Sequence, residues 1–306
     1  MDGRGTILAP VDFAAHSRAA AIRACELARS AGASIRLVHA LDLPALARRD
    51  GPAEHLWDEL RKSEQARLDA LARDLAHRGA PVSARLEEGT PTRLIENAIG
   101  EADVELVVVG TRGDPGLDRV LQAGVAAQAI RAARAPVCVV KENGWDAAGR
   151  IRRVLVATDF SSDAEHAVVL AMGWARCLEA DVEVFHALDP TGADDEAAAS
   201  ARAAALDLLQ AILSRMREVG VPASAELGYG PVADAIVRRA EQSRADLLIL
   251  GRRGRSRILE GLCGSVTARV LREAACSVML AMGAAVGTGR AAEAADPGAI
   301  GAAGDR

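Results

Sequence analysis

Short apolar segments alternate with longer segments of helical character along most of the chain. The short segments are rich in Val, Ile and Leu and are bounded by turn residues; they are Ile7–Val11, Ile35–Ala40, Val82–Leu86, Leu106–Val109, Val137–Val140, Val154–Thr158, Val182–Ala187, Ala223–Leu227, Leu247–Leu250 and Val278–Ala281. The stretches between them are rich in Ala, Leu, Arg and Glu. Segments such as LVVVG and LLILG are apolar without alternation, which is typical of strands covered on both faces. The pattern predicts an α/β fold in which helices wrap a parallel sheet.

The pattern repeats within the chain. ILAPVDF at 7–13 corresponds to VLVATDF at 154–160, and LVHAL at 37–41 corresponds to VFHAL at 184–188, both with a separation of 147 residues. Later matches, such as VVVGTRG at 107–113 and LILGRRG at 248–254, have a separation of 141 residues. The difference falls between the second and third strands, where a surface connection tolerates a deletion. The chain is therefore predicted to form two tandem, doubly wound domains of five parallel strands each.

Composition sets the limits of these domains. NGWDAAGR at 143–150 separates the last strand of the first copy from the first strand of the second, so we expect domains at 1–146 and 150–283. After Ala281 the sequence consists mostly of Gly and Ala with a few charges. Such a segment buries too little apolar surface to offset its ordering entropy, and we expect residues 284–306 to be a disordered tail.

Charge and residue types exclude several classes of protein. With 37 Lys and Arg against 42 Asp and Glu, the net charge is -5, and 3 Phe, 3 Trp and 1 Tyr offer few rings for stacking bases. A nucleic-acid partner is therefore not expected. Five scattered cysteines without a CxxC motif suggest neither a disulfide framework nor a metal site. There is no signal-like segment and no apolar run that could span a membrane, so we expect a cytoplasmic protein without membrane association.

Candidate chemistry lies where parallel strands end. In a doubly wound sheet the ligand binds beyond the C-terminal ends of the strands, near the reversal of strand order. Asp12 and Asp159 follow the first strand of their copies, and glycine-rich turns follow the fourth. Glycines at such a turn let backbone N–H groups approach an anion, and the next helix adds its dipole.

The second copy carries the more complete pattern. Gly251-Arg-Arg-Gly254 is followed by nine residues and then by Gly264-Ser265. The two closely spaced glycines have an equally good structural explanation, since a strand-to-helix turn often needs them. Gly264, taken as lying in a helix interior that disfavours glycine by roughly 1 kcal/mol, points instead to a second close approach to an anion.

These residues resemble the universal stress protein family in its tandem form, across nearly the whole chain except the tail. The resemblance rests on the Asp of the xxxxDF strand end, on LVHAL, on the Gly turn before the third helix, and on the pattern G-x2-G-x9-G-[S/T]. It implies a Rossmann-like sheet of the adenine nucleotide alpha hydrolase type that binds ATP with Mg²⁺. It further implies that Asp159 recognises the adenine side, while Gly251, Gly254, Gly264 and Ser265 hold ribose and phosphates.

The first copy departs from this pattern. Asp12, Gly110 and Gly113 are present, but Ala123-Gly124 stands where the second copy has Gly-Ser. The charge of the turn also differs, since Asp114 and Asp118 lie where the second copy has arginines, at Arg252, Arg253, Arg255 and Arg257. Some of these arginines also fit a solvated surface patch. We expect one competent nucleotide site per chain, in the second domain.

Other candidate residues have simpler explanations. His39 and His186 at strand ends lack an evident catalytic partner and are expected to be structural, and His16, His55, His77 and His166 are expected at the surface. Cys138 and Cys276 are expected to pack as small apolar residues. No Ser-His-Asp, Walker lysine or HExxH pattern occurs, so we assign no catalytic residue and no protein-built metal site.

The sequence therefore favours a nucleotide-responsive regulatory or protective protein of the stress response. The alternatives are a slow ATP-hydrolysing or nucleotide-transferring enzyme on the same fold, and an interaction scaffold with two vestigial sites. By resemblance, the apolar fifth strands of the two copies pair into an internal pseudo-dimer, which would cover exposed strand edges. A homodimer of whole chains is a further option.

Overall fold

A computed structural model of the chain describes residues 5–42, 54–101, 103–112, 124–142, 150–189, 195–254 and 263–282. The expected disordered tail at 284–306 lies outside the described residues. The chain divides into two units, Met1–Asn143 and Gly144–Arg306. In the described stretches, no helix is both long and apolar enough to cross a membrane.

The first unit is a five-stranded parallel sheet with helices on its connections. Its described elements are β1 (Thr6–Pro10), α1 (Ala15–Ala31), β2 (Ser34–Leu41), α2 (Glu54–His77), β3 (Val82–Glu88), α3 (Pro91–Ile99), β4 (Val104–Thr111), α4 (Val125–Ala132) and β5 (Val137–Lys141). The strand order is β3-β2-β1-β4-β5, and all four pairings are parallel. The order reverses between β1 and β4.

The second unit repeats this topology. Its described elements are β6 (Arg153–Ala157), α5 (Ser162–Leu178), β7 (Asp181–Leu188), α6 (Asp195–Glu218), β8 (Ala223–Tyr229), α7 (Val232–Gln242), β9 (Leu247–Gly251), α8 (Ser265–Glu273) and β10 (Ser277–Ala281). The order is β10-β9-β6-β7-β8, again parallel throughout. The predicted fold class, two tandem doubly wound domains of five strands, is confirmed.

The apolar pattern accounts for the layers of each unit. Every residue of β9 and β10 is buried, as expected for strands with helices on both faces. The predicted strands agree with the observed ones to within two residues at either end. The start of α5 is capped, because the Ser161 hydroxyl accepts the Ala164 N–H, and Asp163 and Glu165 lie in the first turn, where the helix dipole favours them.

Candidate functional site

The C-terminal end of β6 leads directly into α5 through a turn that holds Asp159. Asp159 Oδ1 accepts the Ser161 N–H at 3.0 Å and the Ser161 hydroxyl at 2.5 Å. Because Ser161 is itself the N-cap of α5, the carboxylate is fixed relative to the helix start. The side chain is half-buried at the point where strand order reverses, which is the expected ligand side of such a sheet.

Phe160, the next residue, adopts an unusual backbone conformation. Its φ of +60° lies in the left-handed region, which bulky residues rarely occupy. Its ring packs on His186 with 4.5 Å between centroids, and His186 Nδ1 lies 2.8 Å from the Thr158 carbonyl oxygen. Phe13 and His39 repeat the arrangement in the first unit, with a φ of +62° and 4.6 Å between centroids. The two histidines therefore hold this turn, which is the structural role expected for them.

The first glycine of the pattern has a structural reason in both units. A Cβ on Gly251 would lie 2.8 Å from the carbonyl carbon and oxygen of Asp163, in the first turn of α5. A Cβ on Gly110 would lie 2.1 Å from the His16 carbonyl oxygen. Glycine at these positions thus allows the first helix of each unit to pack on its fourth strand.

The other two glycines lie together beside Asp159. A Cβ on Gly254 would lie 2.7 Å from Asp159 Oδ2, and the Gly264 N–H donates to the Arg252 carbonyl oxygen at 3.1 Å. The structure therefore brings three of the predicted residues, Asp159, Gly254 and Gly264, to one corner of the second unit.

Gly264 differs from the expectation in one respect. It is the N-cap of α8, with extended backbone, and does not lie in a helix interior. The penalty for an interior glycine therefore does not apply. A Cβ there would meet nothing nearer than 3.7 Å, so contacts among the described residues do not themselves require glycine at this position.

Ser265 is the first residue of α8 and its side chain is exposed. The first N–H groups of a helix have no acceptor within the helix, and the dipole there attracts negative charge. Two residues later, the buried Thr267 hydroxyl donates to the Gly251 carbonyl oxygen at 3.1 Å. This bond ties the start of α8 to the end of β9, and Thr267 was not singled out from the sequence.

The turn between β9 and α8 concentrates positive charge. Burial and the neighbouring Arg253 both lower the pKa of the Arg252 guanidinium. A bound anion would oppose both effects by stabilising the charged form. Burial also raises the pKa of the nearby Cys263 thiol to about 11, so this cysteine stays protonated near neutral pH. Arg255 and Arg257 lie outside the described residues.

The first unit has glycine, without a hydroxyl, at the position equivalent to Ser265. The separation of 141 residues between Gly110 and Gly251 places Gly124 opposite Ser265. Gly124 is the N-cap of α4, which begins only at Val125, one residue later than α8 does. Val125 is an apolar side chain with 37% exposure at this helix start. Gly113, Asp114, Asp118 and Ala123 lie outside the described residues.

Asp12, the counterpart of Asp159, is engaged within its own unit. Its Oδ2 lies 3.4 Å from His16 Nε2. Burial acts to raise the pKa of Asp12, but hydrogen bonds from Ser17 and Ala14, with the charge of His16, bring it below its usual value. The expectation that His16 is a surface residue is wrong, because its side chain is only 15% exposed and faces this carboxylate. His166 is likewise half-buried.

Further side chains cover the Phe13 turn. The Arg67 guanidinium lies 4.3 Å from the Phe13 ring centroid and pairs with Glu64 at 2.8 Å. Glu64 Oε2 also lies 3.5 Å from His39 Nε2, a carboxylate partner that the sequence did not reveal. The equivalent positions of α6, 141 residues later, are Leu208 and Ala205. In the described part of the second unit, these two positions of α6 therefore carry apolar side chains in place of the ion pair.

Metal ligands are not assembled by the described residues alone. Within those ranges, no group of three or more His, Cys, Asp or Glu side chains is placed to hold a metal ion.

Comparison with known proteins agrees with this architecture. The profile of the universal stress protein family matches residues 3–141 and 150–281. A universal stress protein of Methanocaldococcus jannaschii is 31% identical over 140 residues, covering 44% of this chain and 81% of that protein. One of Mycolicibacterium smegmatis is 27% identical over 292 residues, covering 90% of this chain and 96% of its relative. The crystal structure of a universal stress protein from Archaeoglobus fulgidus superposes with a TM-score of 0.72 at 19% identity, covering 92% of this chain and 98% of that one. This chain belongs to the universal stress protein family and carries two of its domains in tandem.

Proposed function

We propose that the protein binds one ATP per chain, in the second domain, and acts as a nucleotide-responsive regulatory or protective protein. The observation that carries this proposal is the convergence of Asp159, Gly254 and Gly264 at the start of α8. That corner combines a carboxylate, two side-chain-free backbone positions and a helix N-terminus with an exposed hydroxyl.

Each residue has a task in this proposal. Asp159 Oδ2 would accept a hydrogen bond from the adenine side, while Gly254 leaves room for the ribose and phosphates. Gly264 and the first N–H groups of α8 would face phosphate oxygens, to which the Ser265 hydroxyl would donate. Gly251 would contribute indirectly, by letting α5 pack on β9 and so fixing the turn.

Mg²⁺ would enter with the nucleotide. Mg²⁺ is commonly held by substrate phosphates and waters with one or two carboxylates, rather than by a cage of protein ligands. Since Asp159 is assigned to the adenine side, phosphate oxygens and waters would be the ligands of Mg²⁺ in this proposal. The guanidiniums of Arg252 and Arg253 would balance the remaining phosphate charge.

The proposal is tested by calorimetric titration of the full chain with ATP and Mg²⁺. We expect one site per chain, and we expect Ser265→Ala to weaken binding about 10- to 100-fold, because a hydrogen bond to a charged partner contributes roughly 1.5–3 kcal/mol.

The matched control is Asp12→Ala in the first domain, which should leave affinity unchanged. Two equivalent sites, or a silent Ser265→Ala combined with lost binding in Asp12→Ala, would overturn the assignment. Single-turnover measurement of ADP release, compared with Ser265→Ala, tests the alternative of a slow hydrolase on the same sample.

A further inference from the structure

Asp163 contacts the turn from Gly251 to Gly254 at two residues, Gly251 and Arg253. It is the second residue of α5, and its backbone lies against Gly251, where an added Cβ would come within 2.8 Å. Its Oδ2 accepts the Arg253 N–H at 3.2 Å. One acidic residue therefore joins the start of α5 to the turn that leads towards α8.

The first domain has a different residue at this position. His16 lies 147 residues before Asp163, and its backbone makes the same close approach, to Gly110. Its side chain, however, faces Asp12, with 3.4 Å between Nε2 and Oδ2. His16 thus engages Asp12, the strand-end carboxylate of its own domain, whereas Asp163 engages the backbone of the turn.

The neighbouring carboxylates differ accordingly. In the second domain, Asp159 Oδ1 is bound to Ser161 and Oδ2 lies beside Gly254. In the first domain, Asp12 Oδ1 accepts the Ala14 N–H, but Oδ2 lies beside His16. Two positions therefore distinguish the surroundings of the two carboxylates: Ser161 corresponds to Ala14, and Asp163 corresponds to His16.

We propose that Asp163 is a positioning residue for nucleotide binding, which holds the turn from Gly251 to Gly254 against α5 so that Gly254 stays beside Asp159. This inference rests on the proposed ATP site and adds the residue that orders it. In this proposal Asp163 acts through the turn, since its Oδ2 accepts the Arg253 backbone N–H.

Acceptor capacity and charge have opposite expected effects at this position. As an acceptor, Asp163 fixes Arg253; as an anion near Arg252 and Arg253, it reduces the positive charge available to phosphates. Asp163→Ala and Asp163→Asn both remove the charge, but only Asn keeps an oxygen that can accept the Arg253 N–H. The two variants therefore separate ordering from electrostatics.

The test combines ATP titration with amide hydrogen exchange at Arg253 in the full chain. We expect Asp163→Ala to weaken ATP binding about 5- to 10-fold, because the hydrogen bond that orders the turn is lost. Exchange of the Arg253 amide should become about tenfold faster. Asp163→Asn should keep Arg253 exchange in the wild-type range and bind ATP at least as tightly as the wild type, because it keeps the acceptor and removes the opposing charge. The Glu165 amide, which donates to the Ser161 carbonyl oxygen, reports on the helix start and should stay protected.

Glu165→Ala is the matched control. It removes another acid from the first turn of α5, but this one pairs with Arg215 of α6. It should leave ATP affinity unchanged.

The outcomes are separable. If Asp163→Ala leaves either Arg253 exchange or ATP affinity at the wild-type value, or if Asn loses as much as Ala, the positioning role is wrong. Equal loss of protection at Glu165 would assign the effect to helix fraying and would also overturn it. If the wild type itself binds no ATP, the proposed function fails, whereas the exchange data still decide whether Asp163 orders the turn.

Discussion

At the scale of single residues, the two oxygens of Asp159 have different surroundings. Oδ1 holds the start of α5 through Ser161, and Oδ2 lies beside Gly254. Replacing the residue by Ala would remove both contacts, whereas Asn can keep an acceptor for Ser161. A loss of base recognition can therefore be separated from a loss of local structure.

We expect Asp159→Asn to lower the preference for ATP over GTP about 5- to 10-fold, because one hydrogen bond specific to adenine is lost. Affinity for phosphates should change little, since Ser265 and α8 are untouched. Competition between ATP and GTP, measured by titration, gives the ratio. The corresponding Asp12→Asn chain serves as the reference, and an unchanged ratio in Asp159→Asn would assign base recognition elsewhere.

Sequence could identify residues whose type is diagnostic at a given spacing. Gly254, Gly264 and Ser265 were found in this way, and the structure brings the two glycines together with Asp159. Asp163 and Thr267 could not be found, because an acid or a threonine in a first helical turn has an ordinary local explanation. Asp163 is 90 residues away from Arg253 and Thr267 is 16 residues away from Gly251, and only the fold makes these bonds.

At the scale of elements, the glycines divide into those that the packing requires and those that it does not. Gly110 and Gly251 let the first helix of each domain approach the fourth strand, against backbone atoms that cannot move aside cheaply. Gly264, by contrast, has room for a Cβ. Stability and nucleotide affinity should therefore respond to different glycines.

We expect Gly251→Ala and Gly110→Ala each to lower the free energy of unfolding by about 1–3 kcal/mol, as overpacking does. Gly264→Ala should cost less than about 1 kcal/mol, the difference between Gly and Ala at an N-cap. Denaturant unfolding of the three variants gives the ranking. In ATP titrations of the same samples, Gly264→Ala should lose affinity for ATP although it keeps its stability. A Gly264→Ala chain as unstable as Gly251→Ala would contradict this division.

Element ends were predicted less well than element order, for a physical reason. Apolar runs mark where a strand is covered, but pairing continues a residue or two beyond, as in β4, which extends from Val104 to Thr111. The start of α4 one residue later than α8 likewise depends on a helix cap that apolar periodicity does not encode.

At the scale of the whole molecule, the repeat in the sequence predicted two tandem domains because each copy contains every strand of its own sheet. The domain limits, the disordered tail and the internal pseudo-dimer stay predictions. The last of these rests on the apolar fifth strands, VCVV and SVML, whose edges need covering.

We expect separately produced segments 1–146 and 147–306 to form a one-to-one complex when mixed. The physical reason is burial of the two fifth strands, which would otherwise expose unpaired backbone groups. Analytical ultracentrifugation of the mixture measures the association. Each segment alone should self-associate or aggregate. Two stable monomers that do not associate when mixed would refute the pseudo-dimer.

The position of β1 at the centre of its sheet has a consequence for the order in which the chain is made. β1 pairs with β2, which follows closely, and with β4, which begins at Val104. β6 stands in the same relation to β7 and β9, with Leu247 as the first residue of β9. As the chain leaves the ribosome, each central strand therefore keeps one open edge until nearly a whole domain has been synthesised. The crevice between β1 and β4, or between β6 and β9, therefore forms only after the fourth strand has been made, with one helix and the fifth strand still to follow.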